Sequence, residues 1–193
     1  MLLAALLTFV LALLSSSVIA TSVSLERRSP ITIYRGTCKE HVDDIKKGPK
    51  LADGPFPGDF TYKAAFYCTD NHAQAQTYSE DFKTCSQGHA VVGFHFDPTG
   101  LQVLNLGAGK DDNSPAVKFF HACQKLALKL HITHEALDAA DKATKAEVDK
   151  YDVIEGSVPL SLVIVQTKLK DPFKQIVFLT AKLLKALTIS KVT

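Results

Sequence analysis

Phe66-Tyr67-Cys68-Thr69-Asp70-Asn71-His72-Ala73-Gln74-Ala75-Gln76-Thr77-Tyr78 reads as a strand passing directly into a helix. Aromatic residues at Phe60, Tyr62, Phe66 and Tyr67 suit a pleated, half-buried surface and place a strand over Phe60 to Thr69. Asp70-Asn71 then offers side-chain oxygens to the free N–H groups of a helix start, so His72 to Phe82 is expected to be helical.

Working outward, Ile31-Thr32-Ile33-Tyr34 alternates and is β-branched, a strand that ends at Arg35-Gly36-Thr37. Glu40 to Lys47 reads as a short polar helix, and Gly48 to Asp59 as a Gly/Pro-loaded loop. Ala90 to Phe96 and Leu101 to Leu106 flank Asp97-Pro98-Thr99-Gly100 and predict a hairpin. Ser114-Pro115 opens a helix whose apolar face is Phe119, Phe120, Cys123, Leu126, Ala127 and Leu130. Thr133 is the expected cap of a solvated helix running to about Lys150.

Tyr151 to Glu155 predicts a strand, Gly156 a turn, and Val158 to Thr167 a longer strand. Gln175 to Leu179 predicts another strand, Thr180 to Leu187 a short helix and Thr188 to Val192 a last strand. Helices and strands mix without βαβ regularity, which predicts an α+β fold with an antiparallel or mixed sheet.

Residues 1–20 have the pattern of a secretory signal peptide: an apolar run from Leu2 to Leu14, then Ser15-Ser16-Ser17, then Val18-Ile19-Ala20 with small residues at the cleavage positions. That run is short for a bilayer core of about 30 Å. Leu25-Glu26-Arg27-Arg28 is a dibasic sequence like those cut by kexin-type proteases, so residues 21–28 read as a short propeptide. Residues 29–193 then form one secreted, extracellular domain with no stable membrane anchor after processing. Losing Arg27, Arg28 and Glu26 lowers the net charge from +2 to +1. A near-neutral chain carries no electrostatic footprint for nucleic acid.

Cys38, Cys68, Cys85 and Cys123 are an even set in an exported chain and suggest two disulfides. Three pairings are open. Cys68–Cys85 with Cys38–Cys123 is favoured because the first would close a short loop. The spacing fits no zinc site. His131, His134 and Glu135 match no metalloprotease pattern, and no G-x-S-x-G is present.

Three segments carry candidate chemistry: Tyr34-Arg35-Gly36-Thr37, the Phe66 to Tyr78 stretch, and Lys174-Gln175-Ile176-Val177-Phe178. Their order and their strand/helix context resemble the ADP-ribosyltransferase superfamily, in which three such segments line one NAD cleft. Tyr-Asp-Val-Ile-Glu-Gly at Tyr151 to Gly156 and Gln-Ile-Val-Phe-Leu-Thr at Gln175 to Thr180 look like a bacterial and fungal branch of it.

The resemblance covers roughly Ile31 to Ile189. It implies a split β-sheet core flanked by helices and NAD, or a related nucleotide, as ligand. It further implies that Arg35, with Gly36 and Thr37, contacts the NAD phosphates or ribose, where a guanidinium is a bidentate anion clamp. Tyr67 and Tyr78 would sandwich the nicotinamide, and Thr69 with Asp70 would overlay the Ser-Thr-Ser strand of the toxin-like branch, Cys68 standing for the first Ser. The family's catalytic Glu corresponds to Gln175, or to Lys174 if the register slips by one. Neither is anionic, and Glu155 is the nearest substitute carboxylate in sequence.

The implied activity is an NAD-dependent ADP-ribosyltransferase or NAD glycohydrolase, with a protein target as the possible acceptor. The alternative is a catalytically inactive secreted effector or binding module on the same fold. A disulfide-stabilised extracellular protein of unrelated function is the third.

Overall fold

The computed structural model describes residues 29–52, 59–81, 84–158 and 173–193. The signal and propeptide segments and the strand expected at Val158 to Thr167 beyond residue 158 lie outside them. The architecture is α+β, with two sheets. The first has the order β1-β3-β7, from β1 (Ile31–Cys38), β3 (His89–Phe96) and β7 (Thr188–Val192), and is antiparallel throughout. The second has the order β2-β6-β5-β4, from β2 (Phe66–Cys68), β6 (Phe173–Phe178), β5 (Val153–Val158) and β4 (Val103–Ala108). It is mixed, because β4 runs parallel to β5 while the other pairs are antiparallel.

The helices are α1 (Val42–Lys47), α2 (His72–Glu80), α3 (Pro115–Ala127), α4 (Ala139–Val148) and α5 (Ala181–Leu184). A single 3-10 turn (Lys39–His41) precedes α1, and a π-helical turn (Leu128–Thr133) continues α3.

The period-2 patterning decides which side chains meet. Phe66, Ile176, Phe178 and Val153 on one face of the second sheet pack with Ile33, Val92 and Phe94 of the first. The other face carries Val177 and Ile154 and packs with Phe60, Phe120 and Leu126 beneath α3. Phe60, Phe66, Phe94 and Phe178 are fully buried, each worth about 2–3 kcal/mol against roughly 0–1 kcal/mol for an exposed ion pair. The apolar layers therefore hold the fold, and the Lys/Asp pairs along α1 decorate it.

Four expectations are corrected. The hairpin across Asp97 to Gly100 does not form: β3 pairs with β1 and β7, whereas β4 pairs with β5, so the chain crosses between sheets at this turn. Gly156 is not a turn but lies inside β5, where a Cβ would sit 3.1 Å from Leu106 and 3.2 Å from Phe60. Thr133 caps nothing. Instead, Asp138 accepts from the Asp141 amide at 2.9 Å, and Asp141 accepts from the Asp138 amide at 3.2 Å, a closed capping box at α4.

The disulfide pairing is the fourth correction. Cys38 bonds Cys85, while Cys68 and Cys123 are free, buried thiols. Cys68 points from β2 into the layer between the sheets, whereas Cys123 lies on the inner side of α3 under the opposite face. The sheet itself separates them. Cys38 ends β1 opposite His89, the first residue of β3, and its neighbour Lys39 donates to the Gly88 carbonyl at 2.9 Å, which brings the Cys85 loop alongside.

One polar cluster ties α4 to the loop before β2. Asp149 accepts from the Tyr62 hydroxyl at 2.8 Å, Lys63 at 2.7 Å and Lys145 at 2.7 Å. Burial opposes its ionisation, but the two ammonium groups and the phenol outweigh that and hold its carboxyl well below the usual range. A lowered folded-state pKa means stability present above the unfolded carboxylate value of 3.8 and lost as pH falls through the folded value. Asp149→Asn is therefore expected to flatten the acid limb of a stability-versus-pH curve below about pH 4. An unchanged acid limb would show that the cluster is uncoupled from folding.

Candidate functional site

Among the described residues, one backbone bridge joins the two sheets. Tyr34 on β1 and Thr69, just past β2, exchange both backbone hydrogen bonds, at 2.7 and 2.9 Å. This bridge sets the first two candidate segments side by side. The third follows because β6 pairs with β2, with Phe66 opposite Phe178, Tyr67 opposite Val177 and Cys68 opposite Ile176.

Arg35 projects toward the layer between the sheets. Its guanidinium lies 4.5 Å above the centre of the Phe66 ring and donates to the Tyr67 carbonyl at 2.9 Å. That carbonyl belongs to an edge strand, so Arg35 covers an edge acceptor that β6 does not reach. One of its five N–H donors is used there. Gly36 has a different role from its neighbour: a Cβ at this position would meet the Ala75 carbonyl oxygen at 2.1 Å and the Ser79 amide nitrogen at 2.9 Å. Helix α2 therefore rests directly on the outer face of β1. Thr37 is buried opposite Ala90.

Thr69 is buried, and its hydroxyl donates to Gln74 Oε1 at 3.0 Å while accepting from the Asn71 amide at 3.2 Å. Asn71 caps α2 as expected, accepting from the Gln74 amide at 3.2 Å. Tyr78, two turns along, reaches past the sheet junction and stacks on Phe173 of β6, with centroids 5.9 Å apart and planes at 18°. Tyr67 and Gln175 share the face of the second sheet opposite to Arg35, since Tyr67 stands across from Val177 and Gln175 is two residues from it.

Lys174 points the other way and pairs with Asp70. Glu155 is opposite Ile176, whereas Gln175 is opposite Gly156. Its carboxylate is buried on the inter-sheet face with Cys68 and Ile176, on the far side of the sheet from Gln175. Glu155 is thus no substitute for an acid at the Gln175 position.

Asp59 is the residue that sequence reasoning missed. Gln175, only 3% exposed, donates from Nε2 to Asp59 Oδ2. Burial raises the Asp59 carboxyl above its usual value, and the Gln175 amide opposes part of that rise. The Tyr67 hydroxyl is buried, approached by the Phe60 backbone amide but with no side-chain partner among the described residues, and Gln175 Oε1 is buried with no partner among them. Burial, and then the charge on Asp59, push the Tyr67 hydroxyl well above the ordinary phenol value. Burial raises the Tyr78 hydroxyl too, with Arg35 lowering and Asp59 raising it. These residues come from β1, β2, α2, β6 and the end of a loop; Asp59 acts on both tyrosines, and Arg35 on Tyr78. Nothing in the sequence flagged Asp59, which ends a Gly/Pro-rich loop 116 residues before its partner.

The free thiols supply no nucleophile. Burial pushes both Cys68 and Cys123 up to about 12, with Arg35 opposing the rise at Cys68. Among the described residues no cluster of His, Cys, Asp and Glu could hold a metal ion, and no helix is long and apolar enough to cross a membrane. No family model matches the chain, and no curated protein matches it.

Proposed function

We propose that the chain is a secreted ADP-ribosyltransferase-like protein that binds NAD or a related nucleotide. The observation that supports this most is the meeting of three distant segments: Arg35 on the Tyr67 carbonyl, β2 paired with β6, and Tyr78 stacked on β6 through Phe173. In this reading Arg35 takes the phosphates from the inter-sheet side of the β1–β2 junction, while Tyr67 and Gln175, on the other face, take the nicotinamide and ribose with Tyr78. The Cys38–Cys85 disulfide supports an oxidising destination. Catalysis would break the nicotinamide–ribose bond, the pair leaving with nicotinamide and water or a protein group taking the ribosyl carbon. Gln175 contributes no charge to the oxocarbenium-like transition state.

A second reading, a binding module without transferase chemistry, is favoured by two contacts. Arg35 already lies against Phe66 and Tyr67, and Phe173 already occupies one face of the Tyr78 ring.

Calorimetry of the purified protein with NAD, together with nicotinamide release, tests both. NAD is expected to bind, and Arg35→Ala to weaken it about tenfold or more, the worth of a charge-assisted hydrogen bond. Release above the Arg35→Ala level supports the transferase. Binding without release selects the module. Absence of binding rejects the nucleotide reading.

A further inference from the structure

Resting on that reading, we propose that Asp59 is a positioning residue: it fixes the Gln175 side chain so that Oε1 is held as an acceptor for a hydroxyl group of the ligand's ribose. An ionised carboxylate can only accept, so an amide hydrogen-bonded to it must turn its NH2 toward it. Gln175 does so, donating from Nε2 to Asp59 Oδ2. The carbonyl end is thereby aimed away from Asp59, buried, with no partner among the described residues. Leaving such an acceptor unsatisfied costs about 1–3 kcal/mol. A hydroxyl donor from a ligand removes that cost. The Tyr67 hydroxyl, on the same sheet face, is also buried; the Phe60 backbone amide approaches its oxygen, but no acceptor among the described residues takes its O–H, so the site offers an acceptor and a donor on one face, a match for a sugar diol.

The arrangement also predicts how pH acts. The groups facing this cluster are Tyr67 from β2, Tyr78 from α2 and Cys123 from α3, with Arg35 of β1 and Asp81 at the end of α2 acting on Tyr78. Phenols and thiols stay neutral and Arg35 stays charged through the acid range, and of the two carboxylates Asp59 is the one bonded to Gln175. Protonated Asp59 becomes a donor. It can then satisfy Gln175 Oε1 itself, and the acceptor is lost to the ligand.

Calorimetric titrations with NAD, and with its analogue lacking the hydroxyls of the nicotinamide ribose, test this on the purified full chain. Wild-type affinity for NAD is expected to fall as the pH is lowered toward the raised pKa of Asp59. Asp59→Asn, which can present either end of its amide, should bind NAD about fivefold more weakly at neutral pH and lose that pH dependence. Gln175→Leu should bind NAD and the analogue alike, carrying the test should Asp59→Asn fail to fold. A pH-independent wild type, or NAD binding untouched by either substitution, overturns the role of Asp59 and leaves nucleotide binding standing. If the wild type binds no NAD at all, the nucleotide reading itself falls, and this inference with it.

Discussion

Gly36→Ala is expected to destabilise the domain by at least about 3 kcal/mol, the upper end of what overpacking costs. A Cβ at this position would lie 2.1 Å from the Ala75 carbonyl oxygen and 2.9 Å from the Ser79 amide nitrogen. Both obstacles are helix backbone, so no rotamer change relieves them. The only escape is to lift α2 off β1. That movement would disturb the Tyr34–His72 edge contact at 5.2 Å and draw Tyr78 away from Phe173. Against a typical stability of about 5–15 kcal/mol, such a loss is a large share. In urea, where m is about 1–3 kcal/mol/M, it lowers the midpoint by at least about 1 M. On the proposed nucleotide reading, NAD affinity should fall with it, because the two tyrosines are positioned by the same helix and strand. A midpoint equal to that of the native chain would mean that α2 is not seated on β1.

Removing the Cys38–Cys85 bond is the second large effect. The bond spans 47 residues, and closing a loop of that length restricts the unfolded chain by about 4 kcal/mol. Cys38→Ala/Cys85→Ala should therefore unfold at much lower denaturant than the native chain, and mild reductant should shift the native chain to the same midpoint. A peptide map of the oxidised protein should contain one crosslinked pair. Cys68 and Cys123, buried and held protonated, should react with a thiol reagent only after unfolding. Recovery of a Cys68–Cys85 peptide would contradict the fold, because Cys68 lies in the layer between the sheets.

What could be read from the chain alone divides along physical lines. Local signals held: Asn71 caps α2, Ser114-Pro115 opens α3, and β1, β3, β6 and β7 lie within a residue or two of the strands expected there. Signals that depend on distant partners did not. A turn such as Asp97 to Gly100 reports that the chain reverses, not which strand each arm will join, and here the arms join different sheets. Gly156 resembles a turn glycine because its reason for being Gly, the close approach of Leu106 and Phe60, is tertiary. Even counts of cysteine suggested two bridges, yet burial on opposite faces of one sheet leaves two thiols apart.

The candidate site shows the same division. Arg35, Tyr67, Tyr78 and Gln175 were legible as short motifs with strand and helix context. Asp59 was not, since a loop aspartate acquires its partner only when the sheet brings β6 to it. Glu155 looked available by proximity in sequence, but the one-residue alternation of a strand sends it to the wrong face.

The strand order carries a consequence for the making of the protein. In each sheet a strand from the first half of the chain pairs with one from the second: β3 with β7, and β2 with β6. On a ribosome, β3 emerges long before β7, and β2 long before β6. The early strands must wait with their edges and their Phe-rich faces uncovered. Long-range pairing of this kind slows folding and lengthens exposure to self-association. Assembly is thus a late event, gated by the arrival of β6 and β7, and a ribosome stalled before Thr188 would hold a chain with one sheet still open along β3.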